Sequence, residues 1–482
     1  MMTRVAMLLL AVFTSMGAWA ESWDSGDCQV TLEGSTLTVC GSGAMRDFQS
    51  AEEVPWRTHK DNIKTVVVGN GVTHIGDFSF YGCESLESVT IPNSVTSIGN
   101  FAFYGCHGIN SLTLPDNLTT IGNEAFYNCS AITTLNIPNS VTSIGNQAFW
   151  KCYSLICVTI GTGVTSIGYS AFEDCTHLAT VVVFATSAPT LGNGNLNDVF
   201  KYNADGRYIY VPNGSLETFQ TNWSDYSSAI YGYTGAGNCG KTSNDKVKWV
   251  FADMDGNSTG ETMVIYGSGA MADYSSAANL PWKNYKSSIT TLIIEEGVTT
   301  VGKLAFIECS NLTTVTFSGS SSVESIGLSA FNGCDLLTSI TIPSSVTSIG
   351  EAAFENCTHL ATVVVLATSV PTLGNENVFG NNASGRKIYV PHESWYDYDE
   401  AANWSDYRDD IDSFKETGDC GDNVKWLSSG IKMVVYGSGA MADYSSSGQG
   451  PWPHDTPKRV IIEEGVTTIT RIVHRIATFH TD

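Results

Sequence analysis

The sequence predicts a mostly β solenoid, in which short coils stack along one axis between β-hairpins and closing caps. From about Ile63 to Leu178 a segment returns every 23 residues: SVTSIGNFAFYGC at 94–106, NLTTIGNEAFYNC at 117–129, SVTSIGNQAFWKC at 140–152 and GVTSIGYSAFEDC at 163–175. Gly76, Gly99, Gly122, Gly145 and Gly168 keep that spacing, as do Phe80, Phe103, Phe126, Phe149 and Phe172. A short fixed period means that one unit cannot bury its own apolar face and must stack on its neighbours. A longer repeat lies over the short one. GSGAM at 41–45 returns at 267–271 and 437–441, followed each time by a Pro-Trp pair (Pro55-Trp56, Pro281-Trp282, Pro451-Trp452), an apolar strand and a GVT turn. Five coils with the Gly…Phe…Cys core follow in the first copy and three in the second, and both copies close on GRxIYVP and NWSDY.

In chain order, residues 1–20 carry Arg4, an apolar run and the small-x-small site Ala18-Trp19-Ala20, the layout of a signal peptide cleaved after Ala20. That run is too short to span a membrane comfortably and no second run of spanning length follows, so a secreted or cell-surface protein without a transmembrane span is expected. Residues 21–235 read as a first module of opening hairpin, five-coil solenoid and closing cap; 236–417 as a second module with three coils; 418–482 as a truncated third module. Caps are expected because bare solenoid ends leave apolar surface and strand edges unpaired. After GVTTI at 465–469 the pattern demands Gly, then Ala-Phe and Cys, but the chain continues TRIVHRIATFHTD, so the third solenoid is expected to be uncapped and frayed.

Within one coil, Leu86, Val89 and Ile91 alternate as a strand should, Pro92-Asn93 turns the chain, and Val95 and Ile98 open a second short strand. Ala102 and Phe103 fall on a turn or helical segment and Cys106 closes the coil. Cys83, Cys106, Cys129, Cys152 and Cys175 recur at 23, as do Cys334 and Cys357, with Cys309 25 residues before Cys334. Stacked equivalents sit roughly 5 Å apart with side chains pointing the same way, which suits a buried ladder of free thiols rather than disulfides. Cys28 and Cys40 differ: they flank the first predicted hairpin and form a candidate disulfide, although Tyr266 and Tyr436 replace Cys40 in the later copies.

The outward strand positions form two columns, Ser88, Ser111, Thr134, Cys157, Thr180 and Thr90, Thr113, Asn136, Thr159, Val182, with Thr314, Ser339 and Thr362 continuing the theme in the second module. This neutral, hydroxyl-rich face is the candidate partner-binding surface, with Cys157 exposed upon it; Ser and Thr also suit an exposed strand face on their own account. A formal charge of −24 without a basic stripe argues against nucleic acid. HExxH and CxxC motifs are absent and the histidines occupy unrelated repeat positions, so no catalytic, metal or cofactor residues are assigned. Asp253, Asp255 and Asn257 match a calcium loop only superficially, because Ser258 takes its required Gly position. The Trp223 and Trp404 side chains of the NWSDY motifs either cap an open core or stack on sugars.

The unit L-x-x-V-T-I-P-x-S-V-T-S-I-G-x-x-A-F-x-x-C resembles the BspA-like leucine-rich repeats of exported bacterial surface proteins, over 63–183 and 289–365, with Gly161 departing from the Pro position. The resemblance implies a leucine-rich repeat fold and a non-enzymatic role in adhesion to host or microbial surface proteins. The expected partner is an extracellular protein or a surface glycan, bound by a monomeric chain without a cofactor.

Overall fold

The computed structural model describes residues 20–192, 198–242, 244–254, 261–421, 423–429, 432–442, 459–463 and 466–468. Most of the signal segment and of the calcium-like stretch, Pro451-Trp452 and the 470–482 ending lie outside the described residues. The chain forms two compact units, Met1–Arg207 with Thr218–Ser228 and Tyr208–Glu217 with Ala229–Asp482. Each is a β-solenoid of short stacked coils.

In the first unit, strands Glu21–Ser25, Cys28–Glu33 and Thr36–Gly41 form an antiparallel meander. Strands Thr65–Val68 and Ser88–Thr90 then add in parallel. Further along, Thr134–Ile137, Cys157–Ile160 and Thr180–Val183 run parallel, each residue opposite the one 23 positions later. Residues 111–114 carry no strand, although Leu112 and Leu114 are buried. These two leucines stand where Val89 and Ile91 stand one coil earlier, and β-branched residues are the better strand formers. A second row of two-residue strands pairs Ser97–Ile98, Thr120–Ile121, Ser143–Ile144 and Ser166–Ile167. Beside this row the coils approach so closely that a Cβ on Gly122 would lie 2.5 Å from the carbonyl carbon of Gly99, which explains a glycine in every coil. Asparagines clamp the same corner: Asn123 N–H donates to Asn100 Oδ1 and Asn146 N–H to Asn123 Oδ1, each at 2.8 Å.

The core is a column of parallel phenyl rings. Phe103, Phe126, Phe149 and Phe172 stack at 5.1–5.3 Å between centroids, and Phe200 extends the column at 5.6 Å. Tryptophans close both ends. Trp56 donates its indole N–H to Ser79 O at 2.7 Å, and Trp223 donates to Pro189 O at 2.8 Å with its ring tilted across Phe200. The second unit repeats the scheme: Trp282, Phe306, Phe331, Phe354, Phe379, then Trp404. Six ladder thiols donate to the backbone carbonyl of a phenylalanine, Cys334 to one 28 residues earlier and the other five to one 26 residues earlier, as Cys106 to Phe80 and Cys129 to Phe103, both at 3.2 Å. All thirteen cysteines are free. The candidate Cys28–Cys40 disulfide is therefore corrected. Cys28 lies opposite Gly41 while Cys40 lies opposite Gln29, so the two side chains leave opposite faces of the sheet, Cys28 buried and Cys40 exposed.

In the second unit, strands Ile230–Asn238, Lys248–Asp253 and Thr262–Tyr266 form the opening meander, followed in parallel by Thr291–Ile294 and Thr314–Phe317. Strands Ser339–Ile342, Thr362–Val365, Lys387–Pro391 and Ile411–Phe414 make a parallel sheet. One residue, Lys415, separates its last strand from Glu416–Asp419, which starts a further sheet with Val424–Ser428, Lys432–Gly437 and Arg459–Ile462. The chain thus turns a corner and lays this third opening hairpin over the outer face of the second parallel sheet. Val364, Tyr389 and Phe414 on one side pack against Leu427, Val434 and Tyr436 on the other.

Candidate partner-binding surfaces

The outward columns are exposed at one end and buried at the other. Ser88, Thr90, Ser111, Thr113 and Asn136 are exposed and Thr134 is half-buried. Thr159, by contrast, is 2% exposed and Thr180 fully buried, and Cys157, expected on the surface, is buried. The Thr159 hydroxyl donates to Asn136 Oδ1 at 2.5 Å. In the second unit Thr314 and Thr362 are buried and Ser339 is half-buried. Here the cause is visible: Thr314 Oγ1 lies 2.6 Å from Ser438 Oγ, and Thr341 Oγ1 lies 3.3 Å from the Tyr436 hydroxyl of the third hairpin. Alternation along a strand says which side chains point outward but not whether another sheet lies on them. Of the proposed face, Thr159, Thr180, Thr314 and Thr362 are therefore not available to a partner, and Ser88, Thr90, Ser111, Thr113, Thr134 and Asn136 are.

Trp223 and Trp404 are 1% and 0% exposed. They close the phenyl columns and present no face for a sugar.

Sequence reasoning passed over a second surface. Two residues before the first four ladder cysteines, Cys83, Cys106, Cys129 and Cys152, sit Tyr81, Tyr104, Tyr127 and Trp150. Tyr81, Tyr104 and Tyr127 stack at 4.6 and 4.4 Å, Trp150 meets Tyr127 edge-on, and Lys151 Nζ lies 5.0 Å from the Trp150 ring centre. Phe78 and Phe101 form a parallel stack at 4.7 Å. The signal was present as YGC, YGC, YNC and WKC at the repeat period. Since the tyrosine faces are stacked on one another, the ribbon offers ring edges and hydroxyls rather than open π-faces. Burial, followed by the neighbouring Tyr127 and Tyr81, pushes the Tyr104 phenol up to about 12. A groove of about 260 Å³ borders the ribbon, lined among others by Lys60, Tyr81, Tyr104, His107 and Asn128.

Asp47, His74 and Asp77 also come together, which the sequence did not suggest. His74 Nε2 lies 2.9 Å from Asp47 Oδ1 and Nδ1 lies 2.7 Å from Ser97 Oγ. Asp47 also accepts the Asp77 N–H at 2.9 Å, and Asp77 accepts the Asn100 N–H at 2.6 Å. The cluster is thus the first rung of the asparagine clamp. Burial would raise the Asp47 carboxyl, but the hydrogen bonds from His74 and Asp77 and the His74 charge bring it below its ordinary value.

A stacked-coil fold with flat faces and caps at both ends of its phenyl columns defines a leucine-rich repeat protein. The model of the BspA-type leucine-rich repeat region matches residues 58–186 and 283–399 in six copies. That is just over half of the chain, which therefore belongs to the BspA-type leucine-rich repeat family. Among solved structures, it is similar to a leucine-rich repeat protein from Eubacterium ventriosum at 21% identity, over 76% of this chain and 95% of that one, with a TM-score of 0.33. A leucine-rich cell surface protein from Faecalibacterium prausnitzii matches at 23% identity over 79% and 97%, with a TM-score of 0.31. A leucine-rich repeat protein from Bacteroides ovatus matches at 19% over 84% and 100%, with a TM-score of 0.30. Comparison with curated proteins gives no match. Among the described residues no helix is long and apolar enough to cross a membrane.

Proposed function

We propose that this protein is exported and displayed at or beyond the cell surface, where it adheres to a protein partner through the exposed end of its first strand face. The observation that carries this reading is the polarity of the exposed rungs. Ser88, Thr90, Ser111, Thr113, Thr134 and Asn136 form one neutral, hydrogen-bonding patch, with Ser111 and Thr113 on its middle rung. A flat repeated face suits a protein surface better than a small molecule, which takes a concave, largely apolar site. The secreted location rests on the signal layout that ends at Ala20. Glycan capture is the second reading, but Trp223 and Trp404, its aromatic contacts, are enclosed in the core.

The test replaces Thr90, Thr113 and Asn136 together by Lys and screens the full chain against extracellular protein and glycan panels. Protein binding should fall at least tenfold, as expected when three long cations crowd a neutral interface, with an unchanged melting temperature. Unchanged protein binding, or binding confined to glycans, rejects the reading.

A further inference from the structure

The sheet that carries Val364 and Tyr389 is a partner surface already in use, and its occupant has a recognisable code. The side chains of the third hairpin alternate. Trp426, Met433 and Val435 face its own core with Cys420, Val424, Met441 and Val460, while Leu427, Val434 and Tyr436 face the second sheet. Cross-strand registers identify the matching positions in the other two opening hairpins. Leu427 pairs with Val434 as Val250 pairs with Val264 and as Thr31 pairs with Thr38. Tyr436 pairs with Lys425 as Tyr266 pairs with Lys248 and as Cys40 pairs with Gln29. The second and third hairpins are thus apolar at all three positions, and those residues are buried. The first hairpin instead carries Thr31, Thr38 and exposed Cys40.

We propose that the Val364–Tyr389–Phe414 face is a docking site for an opening hairpin of this repeat, selected by an aliphatic pair and a tyrosine at the Leu427, Val434 and Tyr436 positions, and that a second copy of the chain can supply that hairpin. The selection is chemical. Thr at the aliphatic positions would carry hydroxyls into a face built of Val and aromatic rings, where a hydroxyl without a partner is costly to bury. The tyrosine is admitted because its hydroxyl reaches Thr341. Lys432 Nζ fixes the register from the flank, 3.3 Å from both the Tyr389 hydroxyl and Asp412 Oδ2. In this chain the hairpin is tethered through Lys415 alone, so docking within one chain has a high effective concentration, and exchange between copies should show only when that contact is disabled. This surface is separate from the partner patch of the first unit, so its test is independent of the adhesion reading.

Two full-length variants make the test. Giving the third hairpin the residues of the first (L427T/V434T/Y436C) disables the donor and frees the face; V364D disables the face and frees the donor. Val364 points away from the phenyl column, so both should retain the parental far-UV circular dichroism; V364T is the second variant of the face if V364D does not. Each variant alone should be monomeric, with trypsin cleavage at Lys415 and Lys432 at least tenfold faster than in the parent. Mixed in equal amounts at about 100 μM, the two should form a 1:1 dimer by light scattering, with that cleavage again suppressed. Parental protease resistance in the donor variant would overturn the code, and a mixture that stays monomeric would overturn exchange between copies.

Discussion

Phe126→Ala should be the most damaging single truncation of a phenyl column. Phe126 is fully buried and lies between Phe103 at 5.1 Å and Phe149 at 5.3 Å, nearly parallel to both. Removing a buried phenyl ring costs about 3–5 kcal/mol, the spread reflecting how far the site can collapse. Collapse is blocked here. The Phe126 N–H donates to Ala148 O at 2.8 Å and the Phe126 carbonyl accepts the Cys152 thiol, while the glycine and asparagine clamps hold the coil spacing. Each lost ring stack adds about 0.5–1.5 kcal/mol, so the upper end, about 5 kcal/mol, is expected. Tyr104→Ala, on the half-exposed ribbon, should cost about 1–2 kcal/mol, because less of that ring leaves water on folding. Urea unfolding of the full chain, followed by circular dichroism and tryptophan fluorescence, measures both. The low-urea transition of Phe126→Ala should move well below that of Tyr104→Ala. A Phe126→Ala loss under about 2 kcal/mol, or the reverse order, refutes the view that rigid coil spacing makes the column intolerant of a gap.

Alkylation in native buffer should modify exposed Cys40 quickly and leave Cys106, Cys129 and Cys152 untouched until denaturant is added; fast native labelling of those three would contradict the buried ladder. The Tyr104 phenol, raised from 10 to about 12, makes a signed prediction. Its contribution is fully present below pH 10 and is lost as pH rises toward 12, because the unfolded chain gives up that proton first. The urea midpoint should therefore fall between pH 10 and 12, less steeply in Tyr104→Phe than in the parent; equal slopes would remove Tyr104 as a cause.

Much of the fold is legible because the period of 23 residues imposes one rule on every coil. Glycine recurs where backbones nearly touch, phenylalanine where rings must stack, and cysteine where a small group must reach a carbonyl. The Trp of each described Pro-Trp and NWSDY motif is legible for the same reason, since an open ring column needs a lid. Other features break the period. Asp47 precedes His74 by 27 residues and Asp77 by 30, so no repeat spacing flags their meeting. Cys28 and Cys40 flank the right hairpin, but one residue of register decides which face each occupies, and composition does not report it.

Coverage of the strand face is written in the chain in a form that becomes readable only when the columns are followed along the solenoid axis. In the first unit the outward column runs Thr90, Thr113, Asn136, Thr159, Val182, and exposure runs the same way, from open at Thr90 to none at Val182. In the second unit Thr341 gives way to Val364 and then Tyr389, and the last two lie beneath the third hairpin. A hydroxyl can face water or, with a partner, another sheet; a valine or tyrosine in the same column is better explained by a surface that covers it. The drift from hydroxyl to apolar therefore separates two jobs within one face. In the second unit the apolar rungs Val364 and Tyr389 hold the third hairpin, whereas Ser88, Thr90, Ser111 and Thr113 in the first unit are exposed, which is why the proposed partner is assigned to that end of the face.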